Sequence, residues 1–231
     1  MFPLYDENPT ELLPTGTLFL IGSCVLCWLL VQGGGFSIDI FLSSICNFGT
    51  IPIEITGNSG VVIGASPCQI GGYSWQTLFS SMFLHGSWLH LIGNVWFLWV
   101  FGNNVEDSMG HMRFLLFFLL TGVAATLAHA LSEPTSAIPM VGASGAISGI
   151  MGAYLLLYPG ARIRTLVVLG YAITVISIPA WVFLGLWALI QLFGSAMSPI
   201  GGDGGVAYMA HLGGLCAGVV GVSLFRKPIG K

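Results

Sequence analysis

The chain has 231 residues, of which 55% are apolar and only 6% charged, with a formal net charge of −3 and a mean hydropathy of +0.90. A soluble fold of this composition would have almost nothing to cover its surface with, and no basic patch points to nucleic acid. The length suits a single domain over residues 1–231, and isolated charges between long charge-free runs are the pattern of repeated bilayer crossings.

Residues 1–13 form a short acidic segment with no basic n-region, which argues against a cleaved signal peptide. Six apolar spans follow, each near the roughly 20 residues that a crossing helix needs. Span 1 covers about Thr15 to Val31. Cys24 and Cys27 lie inside it and read as small buried hydrophobes rather than a redox pair. The long first loop, 32–85, carries no Lys or Arg. It holds Cys46 and Cys68, which pair if the loop faces an oxidising space and stay free thiols otherwise. Near its end Trp75, Leu78, Phe79, Met82 and Phe83 recur at helical spacing, which predicts an amphipathic helix lying in the membrane interface or packed on protein.

Span 2 is predicted over Trp88–Val105, span 3 over Phe114–Leu131 and span 4 over Ser144–Tyr158. Span 5 covers Pro179–Phe193, with Pro179 in the first helical turn, and span 6 covers Val206–Phe225. All six basic residues, Arg113, Arg162, Arg164, Arg226, Lys227 and Lys231, then fall on one side. The positive-inside rule makes that side cytoplasmic and puts both termini there. The architecture expected is therefore all-α, a six-helix polytopic membrane bundle with a long membrane-associated first outer loop.

Polar residues inside such spans are costly unless paired or functional. Three places stand out: His90 with Asn94, Ser144, and His211. Gly142-Ala143-Ser144-Gly145 is a G-x-S-G motif, weak evidence in a chain with 33 glycines, and Gly57-Asn58-Ser59-Gly60 repeats it. Context separates the two. Ser144 opens span 4, where free backbone N–H groups and the positive end of the helix dipole would stabilise an oxyanion. Alone it reads as an N-cap serine. His211 lies near the outward end of span 6, with Gly214 and Gly218 down the same face. Span 4 has a matching face of Gly145, Ser148, Gly149 and Gly152, so packing the two brings His211 to Ser144 as a general base. His90 and Asn94, four residues apart, share one face and can both donate hydrogen bonds, as an oxyanion hole or as interhelical glue. His85 points elsewhere, to cap or line a wet cavity. No His or carboxylate spacing suggests a metal site, and no cofactor is implied.

Three segments together, Phe83-Leu84-His85-Gly86-Ser87-Trp88-Leu89-His90-Leu91-Ile92-Gly93-Asn94, Gly142-Ala143-Ser144-Gly145 and Ala210-His211-Leu212-Gly213-Gly214, resemble the rhomboid family of intramembrane serine proteases. The resemblance implies a six-helix core with Ser144 as nucleophile and His211 as base. It also implies an oxyanion hole from His90, Asn94 and the Ser144 backbone N–H, and a structural carboxylate at Glu106. Single-span membrane proteins would be the substrates. Two departures stand out. The position that often holds an aromatic stacked on the catalytic histidine is Ser148, whose hydroxyl is one candidate to orient His211, and Trp75-Gln76 replaces a usual Trp-Arg pair. A substrate helix would enter laterally past span 5, where Trp181, Phe183 and Trp187 face span 2 or lipid, under a cap formed by residues 194–205. The compact form reads as a protein of the prokaryotic plasma membrane with its site on the outward side. A transporter would be expected to show internal repeats or charged relays, and a non-catalytic relative to lack Ser144 or His211.

Overall fold

The computed structural model describes residues 1–57, 66–71, 74–197 and 205–228; Ser59 and most of the 194–205 loop lie outside these. Helix α1 (Thr15–Leu26) starts after Pro14 without a local side-chain cap and continues through a π-helical turn, Cys27–Val31. It ends at Gly33, Gly34 and Gly35, all with φ between 62° and 72°, backbone that residues with a Cβ rarely adopt. The first loop is more ordered than its composition predicts. Helix α2 (Ile38–Phe48) is capped by Ser37, and α3 (Pro52–Thr56) opens on a proline. Cys46 and Cys68 are joined in a disulfide between α2 and the far end of the loop.

The expected interface helix is one α-turn, α4 (Thr77–Ser80), followed by a 3-10 turn, Ser81–Phe83. Thr77, Ser81 and Met82 are buried and Phe83 packs against the core, whereas Trp75 and Phe79 are exposed, so only the far end of the stripe is covered and polar contacts hold the turn as well. Thr50 Oγ1 donates to the Thr77 carbonyl at 2.8 Å, and Gly142 N donates to the Ser81 carbonyl at 2.9 Å.

Four helices build the core: α5 (Trp88–Met109), α6 (His111–Ser132), α7 (Ser144–Leu157) and α9 (Tyr208–Phe225). Every residue of α7 from Gly145 to Tyr154 is buried, and Phe101, Phe114, Phe117, Phe118 and Tyr154 fill the space around it. Helix α8 (Ala180–Met197) packs at the side and buries only Ala180, Phe183, Leu184 and Gln191. Leu116, Leu120 and Leu131 of α6 and Leu189, Ile190 and Phe193 of α8 are exposed on the outside, a surface that a bilayer would cover. By length and composition α6, α8 and α9 are apolar enough to cross a membrane.

The all-α expectation needs correction. Strands β1 (Phe2–Asp6), β2 (Arg162–Leu169) and β3 (Ala172–Pro179) form an antiparallel sheet in the order β1-β2-β3. Residues 162–179, between the predicted spans 4 and 5, alternate β-branched Ile, Val and Thr on either side of Gly170-Tyr171, and this pattern closes as a hairpin with Leu169 opposite Ala172. Pro179 ends β3 instead of sitting in the first turn of α8. The acidic N-terminal segment is folded onto the bundle through β1. Trp96 Nε1 donates to the Pro3 carbonyl at 2.6 Å, and Asn104 Nδ2 and the Tyr154 hydroxyl both donate to Asp6. Burial raises the Asp6 carboxyl above its usual range.

Glu106 ties this end together. Its carboxylate is fully buried and accepts from Gly16 N, Thr17 N and Thr17 Oγ1, each at 2.7 Å, with His111 Nδ1 at 2.6 Å. It caps the N-terminus of α1 from another helix, satisfying amides that the local sequence leaves free. Lys227 N and Nζ donate to the Ser108 and Asp107 carbonyls, both at 2.8 Å, binding the end of α9 to the end of α5.

Candidate active site

The opposite end of the bundle gathers the starts of α5, α7 and α9. Gly142 precedes α7 with φ +126°. A Cβ there would stand 2.7 Å from His90 Nε2, so only glycine lets the backbone pass this close to the imidazole. Ser144 is the first residue of α7 and Ala143 holds the N-cap position. The serine hydroxyl is therefore not spent on capping its own helix.

Two glycine faces set the spacing of α7 and α9. A methyl added at Gly214 would overlap the Gly145 carbonyl, and one at Gly218 would overlap that of Gly149. Backbone lies against backbone, and His211, the fourth residue of α9, comes to Ser144. His211 Nε2 is 2.8 Å from Ser144 Oγ, and His211 Nδ1 is 2.7 Å from Gln191 Oε1 on α8. For Nε2 to accept the serine proton, Nδ1 must carry the ring hydrogen and donate it to the amide oxygen. The pair thus has the polarity that a general base and its nucleophile require.

His90 and Asn94 converge on the same place. Ser87 Oγ accepts from His90 N at 3.1 Å and caps α5, and Gly86 N donates to His90 Nδ1 at 3.3 Å. With Nδ1 accepting, the hydrogen of the neutral ring sits on Nε2, which faces Gly142. Asn94 Nδ2 also lies on the Gly142 side, buried and without a hydrogen-bond partner among the described residues. Two spare donors beside a serine that opens a helix can receive an oxyanion. Ser144, His211, His90, Asn94, His129 and Trp187 line one cavity of about 820 Å³.

The remaining expected residues are placed as follows. The Ser148 hydroxyl is not the partner of His211 Nδ1: it donates to the Ser144 carbonyl at 2.6 Å, the back-bond a helical serine makes to its own preceding turn. His85 is buried outside the cavity, and its backbone N–H and carbonyl are both paired at 2.7 Å with the Gln32 side chain. Burial first, and His90 beside it, lower the His85 ring pKa to about 3. Glu106 lies at the far end of α5, and Gly214 and Gly218 serve in helix contact. Phe183 is buried against Phe101 of α5 with centroids 6.2 Å apart, and Trp181 is exposed. Trp187 is half-buried and stands 5.8 Å from the His211 ring.

Gln191 was missed from the sequence. The signal was present, an amide in the middle of the apolar run Leu189-Ile190-Gln191-Leu192-Phe193, and the rule that singled out His90 and Asn94 applies to it equally.

Comparison with known proteins adds an independent line. Residues 72–228 match the Rhomboid domain family. The chain is 33% identical over 158 residues to the Rhomboid-like protein 11, chloroplastic, of Arabidopsis thaliana, covering 67% of this chain and 54% of that protein. It is 34% identical over 182 residues to the Rhomboid protease GluP of Bacillus subtilis, covering 76% of this chain and 32% of that one. An uncharacterized protein of Mycobacterium bovis is 30% identical over 179 residues, 76% of this chain and 68% of its own length. The chain thus spans about half of the plant relative and about a third of the Bacillus one.

Proposed function

The chain belongs to the rhomboid family of integral membrane proteins, and from that premise we propose that it is an intramembrane serine endopeptidase working through Ser144 and His211. The observation that carries the proposal is the 2.8 Å approach of His211 Nε2 to Ser144 Oγ, with the opposite ring nitrogen held at 2.7 Å by Gln191. Ser144 Oγ attacks the carbonyl carbon of the scissile peptide while its proton passes to His211 Nε2. The oxyanion is received by His90 Nε2–H, the Asn94 amide and the Ser144 backbone N–H. The C–N bond then breaks, His211 returns the proton to the leaving amine, and water hydrolyses the resulting ester with His211 again as base.

The substrates of this reading are single-span membrane proteins. A regular transmembrane helix hides its peptide bonds, so the segment must unwind to reach Ser144, which favours small or helix-breaking residues near the cut. Entry is lateral, past α8, which packs at the side of the bundle, whereas α9 lies backbone to backbone against α7. Six crossings are formed by α1, α5, α6, α7, α8 and α9 in a prokaryotic plasma membrane. Arg113, Arg162, Arg164, Arg226 and Lys227 lie on the cytoplasmic side with the N-terminal segment, and the site opens outward. The test is cleavage of a labelled single-span substrate in proteoliposomes. Wild-type protein cuts it and the Ser144→Ala variant does not; cleavage that persists without Ser144 refutes the assignment.

A further inference from the structure

Helix α8 turns Leu186, Leu189, Ile190 and Leu192 outward, and Gln191, only 6% exposed, is the one polar side chain it buries. A buried amide in an apolar helix must find partners or forfeit its hydration. Gln191 finds two. Its Oε1 lies 2.7 Å from His211 Nδ1, and its Nε2 lies 3.4 Å from the carbonyl oxygen of Trp187, one turn back on the same helix.

That second contact decides which way round the amide sits. A backbone carbonyl only accepts, so it takes the NH₂ end and leaves the amide oxygen facing His211. The oxygen in turn accepts from Nδ1–H, which keeps the lone pair on Nε2 for the Ser144 hydroxyl. Turned over, the NH₂ would meet Nδ1 and force the hydrogen onto Nε2, where the imidazole could not take the serine proton. Donors and acceptors thus run in one direction from Ser144 through His211 and Gln191 to the Trp187 carbonyl. Trp187 adds its indole, 5.8 Å from the imidazole and tilted by 38°. The Ser148 hydroxyl is already spent on the Ser144 carbonyl.

We infer that Gln191 is a positioning residue: it fixes the tautomer and ring orientation of His211, so that the dyad is completed from α8 rather than from the helix that carries the nucleophile. The inference rests on the protease reading given above. It makes α8 part of the catalytic apparatus, because displacing the helix withdraws the partner of His211 Nδ1.

The experiment compares Gln191→Met, of similar length but without the acceptor, with Gln191→Glu, which keeps one. Each is reconstituted with the single-span substrate, and kcat, KM and the rate of Ser144 phosphonylation are normalised to the folded fraction from thermal unfolding. The methionine variant is expected to lose kcat and phosphonylation rate together, by about 10²-fold, within the range that general-base catalysis contributes. KM should stay within about twofold, and the glutamate variant should recover at least about tenfold over methionine. A methionine variant with wild-type kcat overturns the inference. So does a change confined to KM, or a glutamate variant no better than methionine. Cleavage surviving in Ser144→Ala is a separate outcome that removes the protease reading itself.

Discussion

The spacing of α7 and α9 predicts a sharp effect for Gly214→Ala. A Cβ at Gly214 would lie 3.0 Å from the Gly145 carbonyl carbon and closer still to its oxygen, with Ser148 Cβ at 3.3 Å. A carbon and a carbonyl oxygen rest at about 3.3 to 3.6 Å, so the helices must separate locally by about 1 Å or more. Backbone on both sides leaves no flexible side chain to yield. The same displacement stretches the 2.8 Å contact between Ser144 and His211 to about 3.8 Å, beyond the roughly 3.0 Å limit for a hydroxyl bond. Overpacking of this kind costs about 1 to 3 kcal/mol in stability, and misplacing reacting groups by about 1 Å costs on the order of 10²-fold in rate. Gly221→Ala, on the same helix, is the control, because its Cβ would meet only the Phe117 ring at 3.4 Å. The assay is substrate cleavage together with thermal unfolding in the same detergent. Gly214→Ala with activity within about threefold of Gly221→Ala would refute the reasoning that glycine packing sets the dyad.

Three further outcomes are expected. Asn94→Ala removes a spare donor and should lower kcat by roughly 10²- to 10³-fold while leaving thermal stability nearly unchanged, because the amide nitrogen has no partner to lose among the described residues. Glu106→Ala strips acceptors from the Gly16 and Thr17 amides, the Thr17 hydroxyl and His111, and should destabilise by about 3 kcal/mol or more; the surviving folded fraction should label at Ser144 at the wild-type rate. Stability should also depend on pH through His85. Its folded-state pKa of about 3 lies below the ordinary 6.5, so the unfolded chain takes up a proton first as pH falls. The stabilisation is complete above 6.5 and is lost progressively toward 3. A His85→Phe variant should show a flatter melting temperature between pH 6.5 and 4 if it folds, and an unchanged slope would exclude His85 as the cause.

Much of the site was legible because its chemistry is expensive in lipid. Ser144, His211, His90 and Asn94 stand out in apolar runs, and the glycines at 145, 149, 214 and 218 announce a close helix contact. The same logic was not carried to Gln191, whose amide sits among large apolar residues with no motif around it. The hairpin of residues 162–179 escaped for a different reason. Its apolar content is high enough to blur into span hydropathy, and its period of two emerges only when Arg162-Ile163-Arg164-Thr165 is set against Ile176-Ser177-Ile178-Pro179. Strand β1 carries Pro3 and two acidic neighbours, Asp6 and Glu7, and no local preference predicts it. It forms because β2 offers an edge and because Asn104 and Tyr154 receive the Asp6 carboxylate. Ser148 shows the limit of reasoning by substitution: a hydroxyl in place of an aromatic was a candidate partner for His211, but a helical serine has its own preceding carbonyl within reach.

The claim that Ser144 is the nucleophile and His211 its base is tested most directly by mapping a serine-reactive fluorophosphonate adduct on the reconstituted protein by peptide mass spectrometry. Modification should fall on Ser144 alone in the wild type, and its rate should collapse in His211→Ala. An adduct on Ser59, or a Ser144 adduct that forms equally fast without His211, would contradict it.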